Sequence, residues 1–249
     1  MRCLIYNEIY KTGKQKYFLL LISSAVILGI VTIGLNQALV STHPQIVNTG
    51  SKMFISSLKN ISVSIILCVI FIHFHIGNEY ANRTITTMIE SGFSRIQIYF
   101  AKVITCNIYC AGLMLLYPIV SSVGTACLNG WGEKAFIIDI LGNVFIFLIL
   151  NFSILAFCVV IDFSVENNVI SLIFNILIVG IGTEILLGIS TELQVLEKIL
   201  NMTPIGKISL IGKTMLRITD YVTVVVISVI WSGAILMLGY DRFRKLDIK

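Results

Sequence analysis

GNEYANRTITTMIESGFSRIQIYFAK, residues 77–102, lies between two long apolar runs and holds much of the charge in the first half of the chain. Three of its apolar residues recur at helical spacing between polar ones: Ile85, Met88 and Ile89. This pattern predicts a short amphipathic helix. Gly92 is expected to end it, and Ser94 with Gln97 is the capping-box pattern that begins a new helix. The short helix is either an ordinary surface helix or a docking element for a soluble partner.

The composition places the chain among integral membrane proteins. Hydrophobic residues make up 57% of the 249 residues and charged residues only 12%, whereas soluble domains carry roughly 25% charged residues. The net charge of +5 is explained by basic segments beside the membrane rather than by nucleic-acid binding. The six cysteines lie in or beside apolar runs without a CxxC pair, which is typical neither of a disulfide framework nor of a zinc site.

Six apolar runs are each long enough to cross a hydrocarbon layer of roughly 30 Å as a helix. Because lipid offers the backbone no hydrogen-bond partners, we expect an all-α integral membrane fold in one domain, residues 1–249. The six spans are predicted at about residues 17–36, 56–77, 101–128, 136–161, 169–189 and 221–240. Pro118 interrupts the third run and is able to kink that helix.

The first 16 residues are predicted to form an amphipathic helix that lies on the membrane surface. Its apolar side is expected to consist of Leu4, Ile5, Ile9 and Tyr10, and three lysines follow. The distribution of Lys and Arg predicts the orientation. With the N-terminus inside, eleven basic residues fall in inner segments and seven in outer ones. Since basic residues are enriched on the cytoplasmic side, both termini are predicted to be cytoplasmic.

The last outer segment, residues 190–220, is expected to dip into the outer leaflet. Thr191 and Gln194 form a second capping-box pattern, and apolar residues recur at helical spacing on both sides of a break at Pro204. Two short amphipathic helices around a break indicate re-entrant helices, with their basic residues at headgroup level. The alternative is a pair of surface helices without a role in transport.

Ionisable residues inside membrane spans are costly and are therefore candidates for function. Glu184 lies in the fifth span with Gly180 and Gly188 one turn away on either side, where glycines allow a neighbouring helix to approach. The carboxylate either attracts a cationic substrate or serves as a structural hydrogen-bond partner to a neighbouring helix, and it is an interfacial residue if the span ends early. His73, near the inner end of the second span, is a further candidate for the substrate path.

His75 and Glu79 are four residues apart and are expected to form a pair on one face of the second span. The pair either fixes the inner end of that helix or relays protons. His73 and His75 face different sides of a helix and make a poor metal pair, so no metal site is expected.

Motifs for catalysis or nucleotide binding are not found in the sequence. Gly206 and Gly212-Lys213-Thr214 resemble a phosphate loop, but five residues separate the glycines where the motif needs four. Neither a Gly-x-Ser-x-Gly nor a His-Glu-x-x-His pattern occurs. The chain is therefore not expected to be an enzyme, and ATP that drives it would be bound by another chain.

The 77–102 stretch resembles the first cytoplasmic loop of ABC-2-type transporter permeases. In that family an acidic residue ends the second span, a short coupling helix follows, and a Gly-x-Ser-Arg segment leads through a lysine into the third span. The matching residues here are Glu79, Thr84, Gly92, Ser94, Arg95, Ala101 and Lys102. Arg83 departs from the pattern, because the family usually has Gly before the Thr. With the six-span layout, the resemblance covers nearly the whole chain, and the size is most similar to small permeases of bacteriocin or lantibiotic export and self-immunity.

This resemblance implies the permease subunit of an ATP-driven exporter in the bacterial plasma membrane. A second permease, identical or homologous, and two ATPase subunits that bind ATP and Mg are the implied partners. The implied substrate is a hydrophobic or amphipathic antimicrobial peptide. The residues expected to couple to the ATPase are Glu79, Arg83, Thr84, Met88, Ile89, Glu90, Gly92, Ser94 and Arg95. An ATP-independent transporter or channel, or a non-transporting accessory protein, is the alternative.

Overall fold

A computed structural model describes residues 1–42, 48–132, 137–165, 168–190, 193–213 and 216–245. Within these ranges all regular secondary structure is helical, and six helical segments are long and apolar enough to cross a membrane. The predicted all-α membrane fold with six spans is therefore confirmed. The six segments are Lys16–Thr42, Ile61–Tyr80, Arg95–Asn129, Asp139–Ser164, Val169–Ile189 and Ile218–Lys245.

The described residues of the first half form six helices. They are α1 (Arg2–Gly13), α2 (Lys16–Thr42), α3 (Gly50–Lys59), α4 (Ile61–Ala81), α5 (Thr84–Glu90) and α6 (Arg95–Asn129). Helices α2, α4 and α6 are the first three spans. An even number of spans returns the chain to the side where it began, so α1, α5 and the C-terminus share one end of the bundle. We call this the terminal end, and the end that holds α3 the opposite end.

The second half contains α7 (Ile137–Ser164), α8 (Asn168–Asn175), α9 (Gly182–Ser190), α10 (Gln194–Leu200) and α11 (Ile218–Lys245). A π-helical turn, Ile176–Ile181, joins α8 to α9, and the three together form the fifth span. Helix α11 packs along α7. At the terminal end of this pair, the phenol of Tyr99 donates a 2.9 Å hydrogen bond to the carbonyl of Leu236, which ties α6 to α11.

The second span differs from the sequence prediction, which placed its beginning at residue 56. The structure ends α3 at Lys59 and begins α4 at Ile61, because Asn60 between them has a non-helical backbone (φ −79°, ψ 67°). Helix α3 runs beside the far half of α6, where the hydroxyls of Ser57 and Ser121 lie 2.9 Å apart. A methyl group on Gly50 would lie 2.6 Å from Cβ of Ala126, so only glycine allows this approach.

The third span is one helix, α6, which continues through Pro118. Its length of 35 residues exceeds the predicted 101–128 mainly at the N-terminal side. Helix α2 crosses it closely, since a Cβ on Gly29 would lie 2.7 Å from Cγ1 of Val120. Small residues at such crossings let two helices approach within a membrane.

Two short helices precede the last span, as the sequence predicts. The first is α10 and the second is a 3₁₀ helix, Gly206–Leu210, with Pro204 between them. The indole nitrogen of Trp231 in α11 donates a 2.9 Å hydrogen bond to the carbonyl of Met202, which holds the connection against the last span. Re-entry of this segment into the outer leaflet stays a prediction. Thr191, the first residue of the expected capping box, lies outside the described residues.

Candidate functional site

Helix α5 follows α4 after only two residues, so the short helix is attached directly to the second span. Arg83 adopts the left-handed conformation (φ 55°, ψ 22°) and turns the chain between them. It is the one non-glycine with positive φ in the described part of the chain. The sequence pattern that residues 77–102 resemble usually has glycine at this position. Glycine adopts the left-handed conformation without strain.

The apolar face of α5 packs against its own chain. Ile85 is 1% exposed, and Met88 and Ile89 are half-buried. Met88 and Ile89 contact a small core cluster that includes Leu4 of α1 and Ile98 of α6. Ile85 belongs to the main hydrophobic core. The face that remains exposed is polar and consists of Arg83, Thr87, Glu90 and Ser91. Met88 and Ile89 therefore position α5, and an approaching partner would meet the polar face.

The boundary between α5 and α6 follows the sequence prediction. Gly92 has φ +90° just after the end of α5. Ser94 is the N-cap of α6, and its backbone N–H donates a 3.2 Å hydrogen bond to Oε1 of Gln97. The predicted capping box is therefore confirmed.

Arg95, expected to contact the ATPase, binds the end of the last span. Its guanidinium donates hydrogen bonds to the carbonyls of Phe243, at 3.3 Å, and Arg244, at 2.9 Å. Carbonyls at the end of a helix have no partner within it and carry partial negative charge. Arg95 thus joins the start of α6 to the last turn of α11.

A group of four charged side chains, three of them buried and Lys11 partly exposed, lies where α1, α4 and α6 meet. We call it the ion cluster, and it consists of Glu8, Lys11, Glu79 and Lys102. The ammonium of Lys102 contacts the carboxylate of Glu8 and lies 2.5 Å from that of Glu79. Lys11 donates a 2.8 Å hydrogen bond to Glu79. Two acids and two bases therefore compensate each other, and Lys102 is only 1% exposed.

Burial changes the titration of the two cluster residues that belong to α1. It raises the pKa of Glu8 above its usual 4.5, although the positive charge of Lys102 opposes the change. For Lys11, burial alone would lower the pKa, but the hydrogen bond and charge of Glu79 outweigh it and raise the pKa above 10.5. Lys11 therefore stays charged at neutral pH.

His75 lies at the edge of the ion cluster rather than in the expected pair with Glu79. Its Nε2 atom is 3.7 Å from the carboxylate of Glu8. Its Nδ1 atom lies 3.4 Å from the hydroxyls of Thr12 and Tyr17. His75 is 2% exposed. Both His75 and Glu79 thus fix the end of α4, but they do so through α1 and α6.

A second buried polar group occupies the other side of α4. Nδ1 of His73 lies 3.4 Å from Oδ1 of Asp162 in α7 and 3.3 Å from the hydroxyl of Ser171 in α8. Hydroxyl and carboxylate therefore face the same ring nitrogen. A catalytic Ser-His-Asp arrangement needs them on opposite nitrogens, so this group is not a hydrolytic site. It links α4 to α7 and α8.

Most of the chain matches a known protein family. Residues 4–182 match the family described as ABC-2 family transporter protein. The match covers more than half of the chain and includes α1, the ion cluster, α5 and the His73 group. The chain belongs to the ABC-2 transporter family. A search of curated proteins gives no match.

Membership makes the chain the permease component of an ABC transporter and a multi-pass membrane protein. Several of the features described above concern the second span, α4, and its connection to α5. In the permease, α4 is held on one side by the ion cluster and on the other by His73, and it leads directly into α5. Any displacement of α5 therefore acts on a helix that is fixed to α1, α6, α7 and α8.

Glu184 is farther from the middle of the permease than the sequence indicates. Its carboxylate accepts a hydrogen bond from the hydroxyl of Ser62, the second residue of α4, near the opposite end. The side chain is exposed. A Cβ on Gly180 would lie 3.5 Å from Ile66, so this glycine faces α4, whereas a Cβ on Gly188 would meet open space. His73 lies at the terminal end, so the four predicted substrate-path residues do not form one cluster.

The sequence analysis does not identify two charged residues of these buried groups, Glu8 and Asp162. Glu8 lies on the buried face of α1 with Leu4 and Thr12, whereas the sequence predicts an apolar face. Asp162 lies one residue beyond the predicted fourth span and is 2% exposed. A search for acids at the ends of spans as well as inside them would have identified Asp162. No spacing rule predicts that Glu8 meets Lys102, because 94 residues separate them.

Proposed function

We propose that this permease works in an ATP-driven exporter and that the polar face of α5 docks on a separate ATPase. The observation that supports the proposal is the attachment of α5. Its apolar side is held by α1 and α6, its polar side is exposed, and its N-terminus continues from α4. Because α5 is held in this way, a force on its exposed face would displace α4 together with α5.

The proposed mechanism is a bistable membrane assembly whose state follows the nucleotide in the partner. ATP and Mg bind to the ATPase subunits, and their closure displaces α5. Because the ion cluster and the His73 group fix α4 on both sides, α1, α6, α7 and α8 move with it. A second permease, identical or homologous, completes the transport path.

The docking proposal is tested by reversing or enlarging the exposed face of α5. Thr87→Arg and Glu90→Arg should each abolish co-purification of the ATPase when a candidate ATPase is co-expressed with the permease, while the permease still inserts and elutes as a single species. Lys16→Glu, a charge reversal at an exposed residue of the same end, is the matched control and should leave the complex intact. Normal complex formation by both α5 variants would contradict the proposal. Met88→Asp and Ile89→Asp are less decisive, because they also disrupt packing within the chain.

The proposed substrate is a hydrophobic or amphipathic peptide with antimicrobial activity, as in bacteriocin and lantibiotic export or self-immunity. Support comes from the small size of the permease and from the exposed carboxylate of Glu184 on the apolar helix α9. An acid there attracts a cationic peptide as it leaves the bilayer. Both termini would then be cytoplasmic, and Glu184 would lie toward the exterior.

The substrate proposal is tested at Glu184. Glu184→Gln keeps the hydrogen bond from Ser62 but removes the charge, so resistance to a cationic peptide should fall at unchanged protein level. Glu197→Gln removes an exposed acid from α10 at the same end and should have no effect. If resistance is the same in both variants and in the wild type, Glu184 is a structural residue.

A further inference from the structure

A cleft at the opposite end of the bundle lies among α2, α3 and the start of α4. Its walls are partly apolar, with Leu35 and Leu39 of α2, and partly polar, with Asn36, Asn48, Ser56 and Asn60. Leu35 is 61% and Leu39 58% exposed, so the cleft is open on the side where α2 faces lipid. Asn36 lies six residues before the end of α2, about 9 Å at 1.5 Å per residue. A helix of 27 residues is about 40 Å long and exceeds a hydrocarbon layer of about 30 Å. We therefore infer that Asn36 lies near the level of the lipid headgroups and ester groups.

The innermost polar group of the cleft has an unused hydrogen-bond donor. Asn36 is 4% exposed, and its Oδ1 atom accepts a 2.7 Å hydrogen bond from Nδ2 of Asn48. Among the described residues, Nδ2 of Asn36 has no hydrogen-bond partner. A buried polar group without a partner is destabilising, because it loses the hydrogen bonds that water would provide. An acceptor atom supplied by a bound molecule would remove that destabilisation.

The surroundings of Asn36 favour an anionic acceptor. Asn60 lines the cleft as the N-cap of α4, and its side chain makes no capping hydrogen bond. The N-terminus of a long helix carries partial positive charge and is suited to phosphate. Lys52 is exposed on α3, one turn before Ser56 and on the same face. Among the described residues that line the cleft there is no carboxylate.

We propose that this cleft binds the phosphate of an anionic glycerophospholipid. Asn36 and Asn60 donate to the phosphate or ester oxygens, Lys52 contributes the positive charge, and an acyl chain lies along Leu35 and Leu39. The apolar wall distinguishes a lipid from free phosphate. The absence of acids among the described lining residues distinguishes it from a site for a cationic peptide. The bound lipid would bridge α2 and α3, which both line the cleft.

The experiment uses the full-length permease, delipidated in detergent and titrated with phosphatidylglycerol, with phosphatidylcholine as the uncharged comparison, in native mass spectrometry. Asn36→Asp retains an acceptor for Asn48 but removes the donor and adds a negative charge. It should weaken binding of phosphatidylglycerol about tenfold or more, equivalent to about 1.4 kcal/mol. Lys52→Gln should remove the preference for phosphatidylglycerol over phosphatidylcholine. Asn36→Leu provides a second, uncharged loss of the donor if Asn36→Asp does not fold.

The matched control is Lys59→Gln. Lys59 is also on α3, but its ammonium lies beside Gly212, away from the cleft, so binding should be unchanged. Lipid binding by Asn36→Asp and Asn36→Leu that equals the wild type would overturn the proposal. Displacement of the lipid by millimolar inorganic phosphate would instead indicate a site for the free ion. Displacement by a cationic amphipathic peptide at stoichiometric concentration would indicate a peptide site, and either result overturns the assignment to lipid.

Discussion

At the scale of single residues, Arg83 is a position where backbone strain can be tested, because it turns the chain between α4 and α5. An L-residue in the left-handed region is strained by roughly 1–2 kcal/mol, and glycine avoids that strain at some cost in entropy. Arg83→Gly should therefore stabilise the permease, by about 0.5–1 kcal/mol. The measurement is thermal unfolding of the purified protein in detergent, where a small rise in Tm is expected.

The control for Arg83→Gly is Arg83→Ala. Alanine removes the same side chain but keeps the strain, so its Tm should not rise. If the Tm of both variants rises equally, the stabilisation comes from loss of the charge and the strain argument is wrong. The same pair also tests docking, because either variant that loses the ATPase would show that the guanidinium itself contacts the partner.

Lys102 is the residue on which the ion cluster depends. Lys102→Met leaves the buried carboxylate of Glu8 without its nearest cation, and breaking one partner from a buried ion pair costs roughly 3–5 kcal/mol. The double variant Glu8→Gln/Lys102→Met removes both charges and keeps the Lys11–Glu79 pair, so it should recover much of that loss. Unfolding of each variant in detergent gives the comparison. Lys16→Met, at an exposed lysine, is the control and should be neutral.

The effect of Lys102→Met should also depend on pH. Burial raises the pKa of Glu8 above 4.5, so the folded protein binds this proton more tightly than the unfolded chain does. The contribution of such a group is full below its ordinary pKa and is lost as the pH rises through the raised one. The destabilisation should therefore be smaller near pH 5 than near pH 8. An equal loss at both values would show that Glu8 is not the group left uncompensated.

Sequence patterns predict the boundaries of α5 well because they are local. Gly92 and the Ser94–Gln97 box act on neighbouring backbone groups, and the structure confirms both. The partners of Lys102 and His73 are not predictable in this way. Glu8 and Asp162 reach them from α1 and α7, and only the packing of separate helices determines such pairs. The orientation of α5 is only partly predictable from the sequence. The amphipathic pattern predicts the helix and its apolar face, but it does not predict that this face packs against the chain itself.

At the scale of elements, the six spans follow from apolar length alone, whereas their interruptions do not. The break at Asn60 lies within the predicted second span, and the π-helical turn at Ile176–Ile181 lies in continuous apolar sequence. Both depend on contacts: α3 leaves the axis of α4 to pack on α6, and Gly180 approaches α4 inside the turn. π-helical turns within α-helices are frequent at functional sites, and this one directly precedes Glu184.

The link between α6 and α11 gives a prediction about an element. Arg95→Gln removes the charged donor from the carbonyls of Phe243 and Arg244, so the last turn of α11 should fray. Hydrogen exchange measured by mass spectrometry should be faster across residues 240–245, with α7 unchanged. Arg83→Gln is the control, because it removes an arginine from the same end without touching α11. Unaltered exchange in Arg95→Gln would mean that the packing of Phe243 suffices to hold the turn.

At the scale of the whole molecule, the two ends of the bundle differ in chemistry. The terminal end concentrates buried charge: the ion cluster, the His73 group and the Arg95 link all lie there. The opposite end has amides and hydroxyls around the cleft at Asn36, with Lys52 exposed nearby. Buried charge pairs hold several helices together at the terminal end, and the orientation of the two ends across the membrane stays a prediction from Lys and Arg.

Orientation is decided by labelling single cysteines from each side of the membrane. Cys3 and Cys127 are exposed and the other four cysteines are buried, so replacing these two with serine gives a background with little labelling. Thr87→Cys on α5 should then react with a membrane-impermeant maleimide only in inverted vesicles, and Lys52→Cys on α3 only in intact cells. Both positions are exposed in the permease alone, so in membranes that lack the ATPase a failure to react from the predicted side would not reflect burial. Labelling of Thr87→Cys from the exterior would place α5 away from any cytoplasmic ATPase and would refute the docking proposal together with the orientation.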